Sequence, residues 1–397
     1  MNLFTPFTAL CTVGFFARFS YSLARSPVLP LFALYLGAGP EVIGFVVGIS
    51  TVTGIFFKLP SGALSDIIGR KKTMLMGLLV FAVMPFAYLT VKDYSLLIVI
   101  RFIHGLATSI YGPVSMAVVA DIAQGKKGEM LSWFSSVTII GNLLGAPAGG
   151  FILHGLSGDG IASAGDFYTA YLISGISGMI SLALALGLLR EKENVERGTS
   201  LAESVRRFLS GIKEVLSDRR IVITSNMEGV QNMAMGALEA FLPIYAVTLA
   251  GLNPFQAGLL WGIQVIVTIL SKPVMGKISD RYGRKSIIVA GMFLCAVSFG
   301  VIPLLKGFYP LMAAAIVFGF GEAFVTSSSA ALVADLCKEN HFGTAMGTFG
   351  TIFDIGHASG PILAGILIAQ FDYVYAFWII SAILLSSVPV FILGVKK

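Results

Sequence analysis

The sequence predicts an all-α membrane protein of twelve transmembrane helices, arranged as two parallel six-helix repeats. Composition predicts the membrane: 56% of the 397 residues are hydrophobic and 12% are charged, where a soluble domain carries about 25% charged residues. Mean hydropathy is +0.87. Recurring apolar runs predict the helices, because roughly 20 apolar residues cross a bilayer core. Self-similarity predicts the two halves, since charged and glycine-rich landmarks of the first half return in the second.

The twelve runs follow in order. The first (8–36) stops at GAGP, the second (41–64) at SDIIGRKK, and the third (72–91) and fourth (94–122) are parted by KD. The fifth (129–155) follows AQGKKG and the sixth (168–189) runs into REKEN. The seventh (221–250) starts after SDRR and the eighth (255–276) ends at KISDRYGRK. KGF parts the ninth (286–305) from the tenth (309–336), and the eleventh (342–370) and twelfth (373–393) close the chain. The expected domains are a bundle at 1–190, a cytoplasmic linker at 191–220 and a bundle at 221–397. In the linker, Ser200 and Glu203 form a capping box ahead of an amphipathic run through Leu201, Val205, Phe208, Leu209 and Ile212.

The net charge of +6 reports orientation rather than a nucleic-acid partner. With an even number of spans both termini share a side, and that side holds twenty Lys and Arg against Lys92 and Lys306 on the other. Positive charge stays inside, so both termini are expected in the cytoplasm. Cys11, Cys295 and Cys337 show no metal or disulfide spacing. No cofactor motif occurs, and no nucleophile and base converge as an enzyme would need.

Slid by 214 residues, Lys58, Gly62, Ser65, Asp66, Gly69, Arg70 and Lys71 land on Lys272, Gly276, Ser279, Asp280, Gly283, Arg284 and Lys285. Asp121 lands on Asp335, and one further residue brings Gly141, Gly145 and Gly150 onto Gly356, Gly360 and Gly365. Gly62 and Gly69 are expected to bracket a tight turn by close backbone approach. Asp66 is placed to accept from a neighbouring helix N-terminus, and Arg70 and Lys71 to anchor the loop. These charges either enforce topology or act as a latch, and an acid adds little to topology. Lys58 and Lys272, about one turn deep, are expected to snorkel to the surface.

An ionisable group inside a span costs about 2.5–3.5 kcal/mol on insertion scales and is a functional candidate by default. Arg18 and Arg25, seven apart, share one face of the first span. The fourth span holds Arg101 and His104, and the seventh a stripe of Glu228, Asn232 and Glu239. Pairs of Arg18 or Arg25 with Glu228 or Glu239 would be either structural neutralisation or a substrate- and proton-sensitive gate. Asp354 and His357 lie one turn apart in the eleventh span, a candidate proton site. Their counterpart in the fifth span is Asn142, and Glu322 stands in the tenth without a partner visible in the sequence.

GALSDIIGRKK resembles the G-x-L-S/A-D-x-x-G-R-K/R-K/R motif of the major facilitator superfamily, and Gly276 to Lys285 is similar to it with Ile278 for leucine. The resemblance covers essentially the whole chain. It implies that Asp121 pairs with Arg70 and Asp335 with Arg284, two latches that hold the halves together when the protein opens outward. Arg101 and Gly105 resemble the family's R-x-x-x-G, whose arginine is implicated in proton coupling; a structural arginine is the other reading. GNLLGAPAGG, with Gly141, Gly145, Pro147, Gly149 and Gly150, resembles the G-x-x-x-G-P-x-x-G-G of the drug:proton antiporter branch with its proline displaced by one. Gly356, Gly360, Pro361 and Gly365 form the matching packing stretch in the second half. That branch carries an acid nine positions before the first proline of SPVLP, where this chain has Arg18. Two cations there favour an anionic or zwitterionic substrate over a cationic drug.

The expected function is a monomeric secondary transporter of a small organic molecule in the cytoplasmic (inner) membrane, working by alternating access as a proton-coupled efflux antiporter. Proton-coupled uptake of an organic anion is the alternative within that class. A non-transporting membrane sensor or scaffold on the same fold is the alternative outside it.

Overall fold

The computed structural model describes residues 5–123, 126–155, 162–188, 218–337 and 342–395, and every regular element among them is helical. The expected linker helix lies outside the described residues. The helices are α1 (Pro6–Arg25), α2 (Val28–Tyr35), α3 (Pro40–Ile68), α4 (Arg70–Ala87), α5 (Tyr94–Ile122), α6 (Lys127–Gly155) and α7 (Ala164–Leu188). The second half follows as α8 (Arg219–Thr248), α9 (Pro254–Tyr282), α10 (Arg284–Val301), α11 (Phe308–Leu336), α12 (Phe342–Gln370) and α13 (Tyr373–Gly394).

The repeat seen in sequence is written into the element boundaries. The bounds of α3, α4 and α5 (40–68, 70–87 and 94–122) recur as those of α9, α10 and α11 (254–282, 284–301 and 308–336). Local chemistry sets the ends. Asn253 and Gln256 form a reciprocal capping box ahead of α9, with Pro254 at its first position, and Asp93 caps α5 through the Ser95 amide. The expected first span is one stretch, Pro6–Tyr35, built from two helices that meet at Ser26 and Pro27. The reason is local, because proline brings no amide hydrogen to the helix ladder.

Eleven stretches among the described residues are long and apolar enough to cross a membrane, α1 and α2 counting as one. α8 falls outside that set although it has 30 residues. It carries Glu228, Gln231, Asn232 and Glu239, and most of its length is buried in protein rather than turned to lipid. Enclosure on all sides removes the need for an apolar surface.

The described residues pack as two compact units. One comprises Met1–Gly37 and Val52–Val205, the other Ala38–Thr51 and Arg206–Lys397, so α3 contributes its first part to the second unit. In the first unit, glycines of α6 lie against α1: a Cβ on Gly141 would sit 2.6 Å from the Phe15 carbonyl oxygen, and one on Gly145 2.6 Å from Ser22 Cβ. Ser20, Ser177 and Ser181 donate to carbonyls of Ser174, Phe16 and Val13, tying α1 to α7. In the second unit a Cβ on Gly356 or Gly360 would lie 2.0 Å from the carbonyl oxygens of Gly229 or Met233, so α8 and α12 touch backbone to backbone. A Cβ on Gly365 would lie 2.4 Å from the Pro40 carbonyl oxygen. Small residues permit such approach where no hydrophobic effect drives helices together in lipid.

This geometry separates two kinds of glycine. Gly360→Leu is expected to cost about 1–3 kcal/mol or more through overpacking, read as a lowered Tm of the purified chain. Gly62→Ala, whose new methyl would meet no atom within 4 Å, is expected to leave Tm unchanged or slightly raised.

Candidate functional site

The two copies of the repeated charge pattern build matching corners. α3 and α4 are joined by one residue, Gly69, at φ +104°, and α9 and α10 by Gly283 at φ +90°. Glycine enters that region without the Cβ penalty of other residues. The expected bracketing by Gly62 is corrected: Gly62 and Gly276 sit inside α3 and α9 with open space beside them. Their carbonyls instead accept from Ser65 Oγ at 2.6 Å and Ser279 Oγ at 2.9 Å.

Arg70 stands at the start of α4, where the helix dipole disfavours a cation. Three acceptors offset that position. Nη1 lies 2.7 Å from Asp66 Oδ1 and donates to Ser65 Oγ at 2.8 Å, while Nε donates to Asp121 Oδ2 at 3.1 Å. Asp66 therefore meets the arginine side chain rather than a helix N-terminus. The second corner repeats the arrangement: Arg284 Nη1 is 2.9 Å from Asp280 Oδ1 and Nε donates to Asp335 Oδ2 at 2.5 Å. Each corner ties three consecutive helices of its own unit. Lys285 Nζ donates to the Ile392 and Val395 carbonyls at the end of α13, a contact with no Lys71 counterpart among the described residues.

Inside the first unit, the cations named from sequence are embedded in tyrosines. Arg101 and His104 of α5 are fully buried. Arg101 Nη2 donates to Tyr21 Oη at 3.3 Å and its guanidinium lies 5.0 Å from the Tyr21 ring. The Arg25 guanidinium lies 5.7 Å from the centroid of the same ring, and Arg18 interacts electrostatically with Tyr21, Tyr111 and Arg25. His104 Nδ1 is 3.1 Å from Tyr88 Oη, and the Tyr88 ring stacks on Tyr171 at 4.3 Å. These tyrosines were not singled out in the sequence. For Tyr21 a signal existed: three residues after Arg18 and four before Arg25, it shares their helix face. Asn142 enters through its backbone, accepting from Ser22 Oγ at 2.6 Å.

The second unit is acidic in the corresponding region. Glu228 is fully buried and its Oε1 accepts from Asn232 Nδ2 at 3.2 Å, one turn along α8. Glu322 of α11, partnerless in the sequence, accepts from Gln264 Nε2 and from Thr268 Oγ1 of α9. His357 Nε2 lies 3.3 Å from Glu239 Oε2 of α8, both nearly buried, with Phe353 stacked on the imidazole. The carboxylate beside His357 is thus Glu239 rather than the expected Asp354, which is buried on the same helix. Gln264 and Thr268 were missed because neither is ionisable. Their i, i+4 spacing within the apolar run between Ala257 and Leu270 was the available signal.

No group of three or more metal-ligating side chains occurs among the described residues. The arrangement offers acids, bases and hydrogen-bond donors facing one another within helix bundles, chemistry suited to holding and releasing small polar ligands and protons.

Comparison with known proteins bears on this architecture. The Major Facilitator Superfamily profile matches residues 10–267 and 230–397. The chain is 24% identical to an uncharacterized MFS-type transporter of Methanocaldococcus jannaschii, over 91% of this chain and 89% of that one. It is 23% identical to the multi-drug resistance efflux pump PmrA of Streptococcus pneumoniae, over 89% and 87%. In structure it is similar to the nucleoside transporter NupG, with a TM-score of 0.82 at 15% identity over the full length of both chains.

The corner ion pairs are half-exposed, and such pairs contribute about 0.2–1 kcal/mol each. Asp66→Asn and Asp280→Asn are therefore expected to lower unfolding stability by less than about 1 kcal/mol. A loss of about 3–5 kcal/mol, as for a broken buried pair, would make these corners structural keystones instead.

Proposed function

Because the chain belongs to the major facilitator superfamily, we propose that it is a secondary transporter exporting a small organic anion or zwitterion in exchange for protons. The reading places two six-helix bundles, 1–190 and 221–397, on either side of the 191–220 linker. It takes twelve crossings, both termini in the cytoplasm, and alternating access in the cytoplasmic membrane. Export is favoured by the likeness of GNLLGAPAGG to the antiporter motif and by the similarity to an efflux pump.

The observation that carries proton coupling is the Glu239–His357 pair. Histidine is the side chain whose charge changes around neutral pH. A protonated His357 at 3.3 Å from Glu239 is neutralised where it stands. Loss of that proton removes one cationic partner from a carboxylate that is 4% exposed. Weakening the compensation of a buried charge is costly, so proton release favours a conformation in which Glu239 meets water or a cationic group of the substrate. Arg25, 5.7 Å from the Tyr21 ring, and Arg18, which acts electrostatically on Tyr21 and Tyr111, are the groups for an anionic moiety. The same pair of cations supports the second reading, uptake of an organic anion with protons. The corner latches would act as conformational ties in either direction.

The substrate is found by its effect on stability, since a ligand at about 100 times its Kd adds about 2.7 kcal/mol to the folded state. With that compound, His357→Ala is expected to abolish substrate-linked pH change in liposomes while binding persists. Retention of proton movement in that variant removes His357 from the coupling. Arg18→Ala and Arg25→Ala are expected to weaken binding of anionic compounds about tenfold and spare cationic ones, and equal losses for both would remove the charge argument.

A further inference from the structure

The Glu228–Glu322 region holds a third charge that the sequence reading sends elsewhere. Lys272, expected to snorkel from a depth of one turn, is half-buried and acts electrostatically on both carboxyls. Helical side chains also lean toward the helix N-terminus, which for Lys272 is the direction of Thr268 and Gln264. These three residues are spaced i, i+4 and i+8 on one face of α9, and the first two already touch the Glu322 carboxylate. Among charge–charge interactions on Glu228 and on Glu322, the largest in both cases is with Lys272.

Charge counting then constrains what the cluster can hold. Two carboxylates and one ammonium carry a net charge of −1. Gln264 Oε1, Glu228 Oε2 and both polar atoms of the Gln231 amide on α8 are buried and make no hydrogen bond among the described residues. A buried excess negative charge is relieved by one added cation, and a proton on either carboxyl also supplies a missing donor. We propose that Lys272 is a tethered counter-ion to Glu228 and Glu322, and that the three groups together take up one proton and no more. The other titratable groups acting on the cluster are the Cys295 thiol from α10 and His357 of α12, which acts electrostatically on Glu322. Glu239 stands eleven residues beyond Glu228 on α8 and is engaged by His357. Lys272 is a positioning residue here: it sets how many protons the carboxyls bind without touching substrate.

The bearing on transport rests on the proton-coupled reading, yet the test needs neither substrate nor gradient, so each can fail alone. Infrared difference spectroscopy of the purified full chain reads the protonated-carboxyl C=O band. At neutral pH the Glu322→Gln variant is expected to lose the band contributed by the cluster, because Glu228 and Lys272 then neutralise each other as ions. Lys272→Met is expected to raise that contribution about twofold, since two buried carboxyls without a cation both protonate. Lys272→Arg should match the unaltered chain, and Lys272→Met combined with Glu322→Gln should return to its level. An unchanged band in Lys272→Met or in Glu322→Gln overturns the proposal, as does a doubled band in Lys272→Arg, which would assign the effect to packing rather than charge. Because Glu322→Gln is read independently, failure of Lys272→Met to fold leaves the proposal open to refutation.

Discussion

A carboxyl group inside a bilayer must be covered by protein on every side, and the architecture of the second unit follows from meeting that demand on α8. This helix carries Glu228, Gln231, Asn232 and Glu239, too polar a set to face lipid. It is enclosed because α12 can approach to backbone contact through Gly356 and Gly360. The same approach brings His357 to Glu239, while Gly236 on α8 leaves room for the His357 backbone. Glycine packing and polar chemistry are one feature here: remove the close approach and the acids lose their cover.

The two repeats solve different problems on one scaffold. Their corners are alike to the atom, with arginine, two aspartates and a serine in matching roles. Their interiors diverge. The first buries arginines, which keep their charge in any environment, and surrounds them with tyrosine rings that offer cation–π contact and hydroxyl acceptors. The second buries carboxyls, which can shed charge by taking a proton, and surrounds them with carboxamides, a threonine and a lysine. A permanent charge suits a substrate group, whereas a removable one suits a proton.

Much of this was legible in the sequence because it depends on spacing. The offset between copies predicted the paired helices, and Arg70–Asp121 and Arg284–Asp335 form as the motif implied. The position of Arg18 and Arg25 on one face held, since both interact with Tyr21. What failed was what depends on the third dimension. The role given to Gly62 belongs to Gly69 alone, because α3 runs on past Gly62 before turning. His357 had a sequence neighbour in Asp354, yet helix packing supplied Glu239 from 118 residues away. Gln264, Thr268 and the tyrosines were passed over because none carries a charge at neutral pH, although they contact the groups that do.

Magnitudes decide which of these contacts can change during a transport cycle. The corner pairs, half-exposed and worth about 0.2–1 kcal/mol each, can be exchanged for water at a cost comparable to thermal energy. Stripping one partner from a buried charge costs about 3–5 kcal/mol, which no single step of a cycle running near equilibrium can absorb without a proton or ligand in exchange. The interior networks of α8, α9, α11 and α12 therefore hold together unless another group replaces what is lost. The corners, built from side chains around a one-residue glycine turn, are the places where rearrangement is cheap. Both repeats place their weak ties at the surface and their strong ones within.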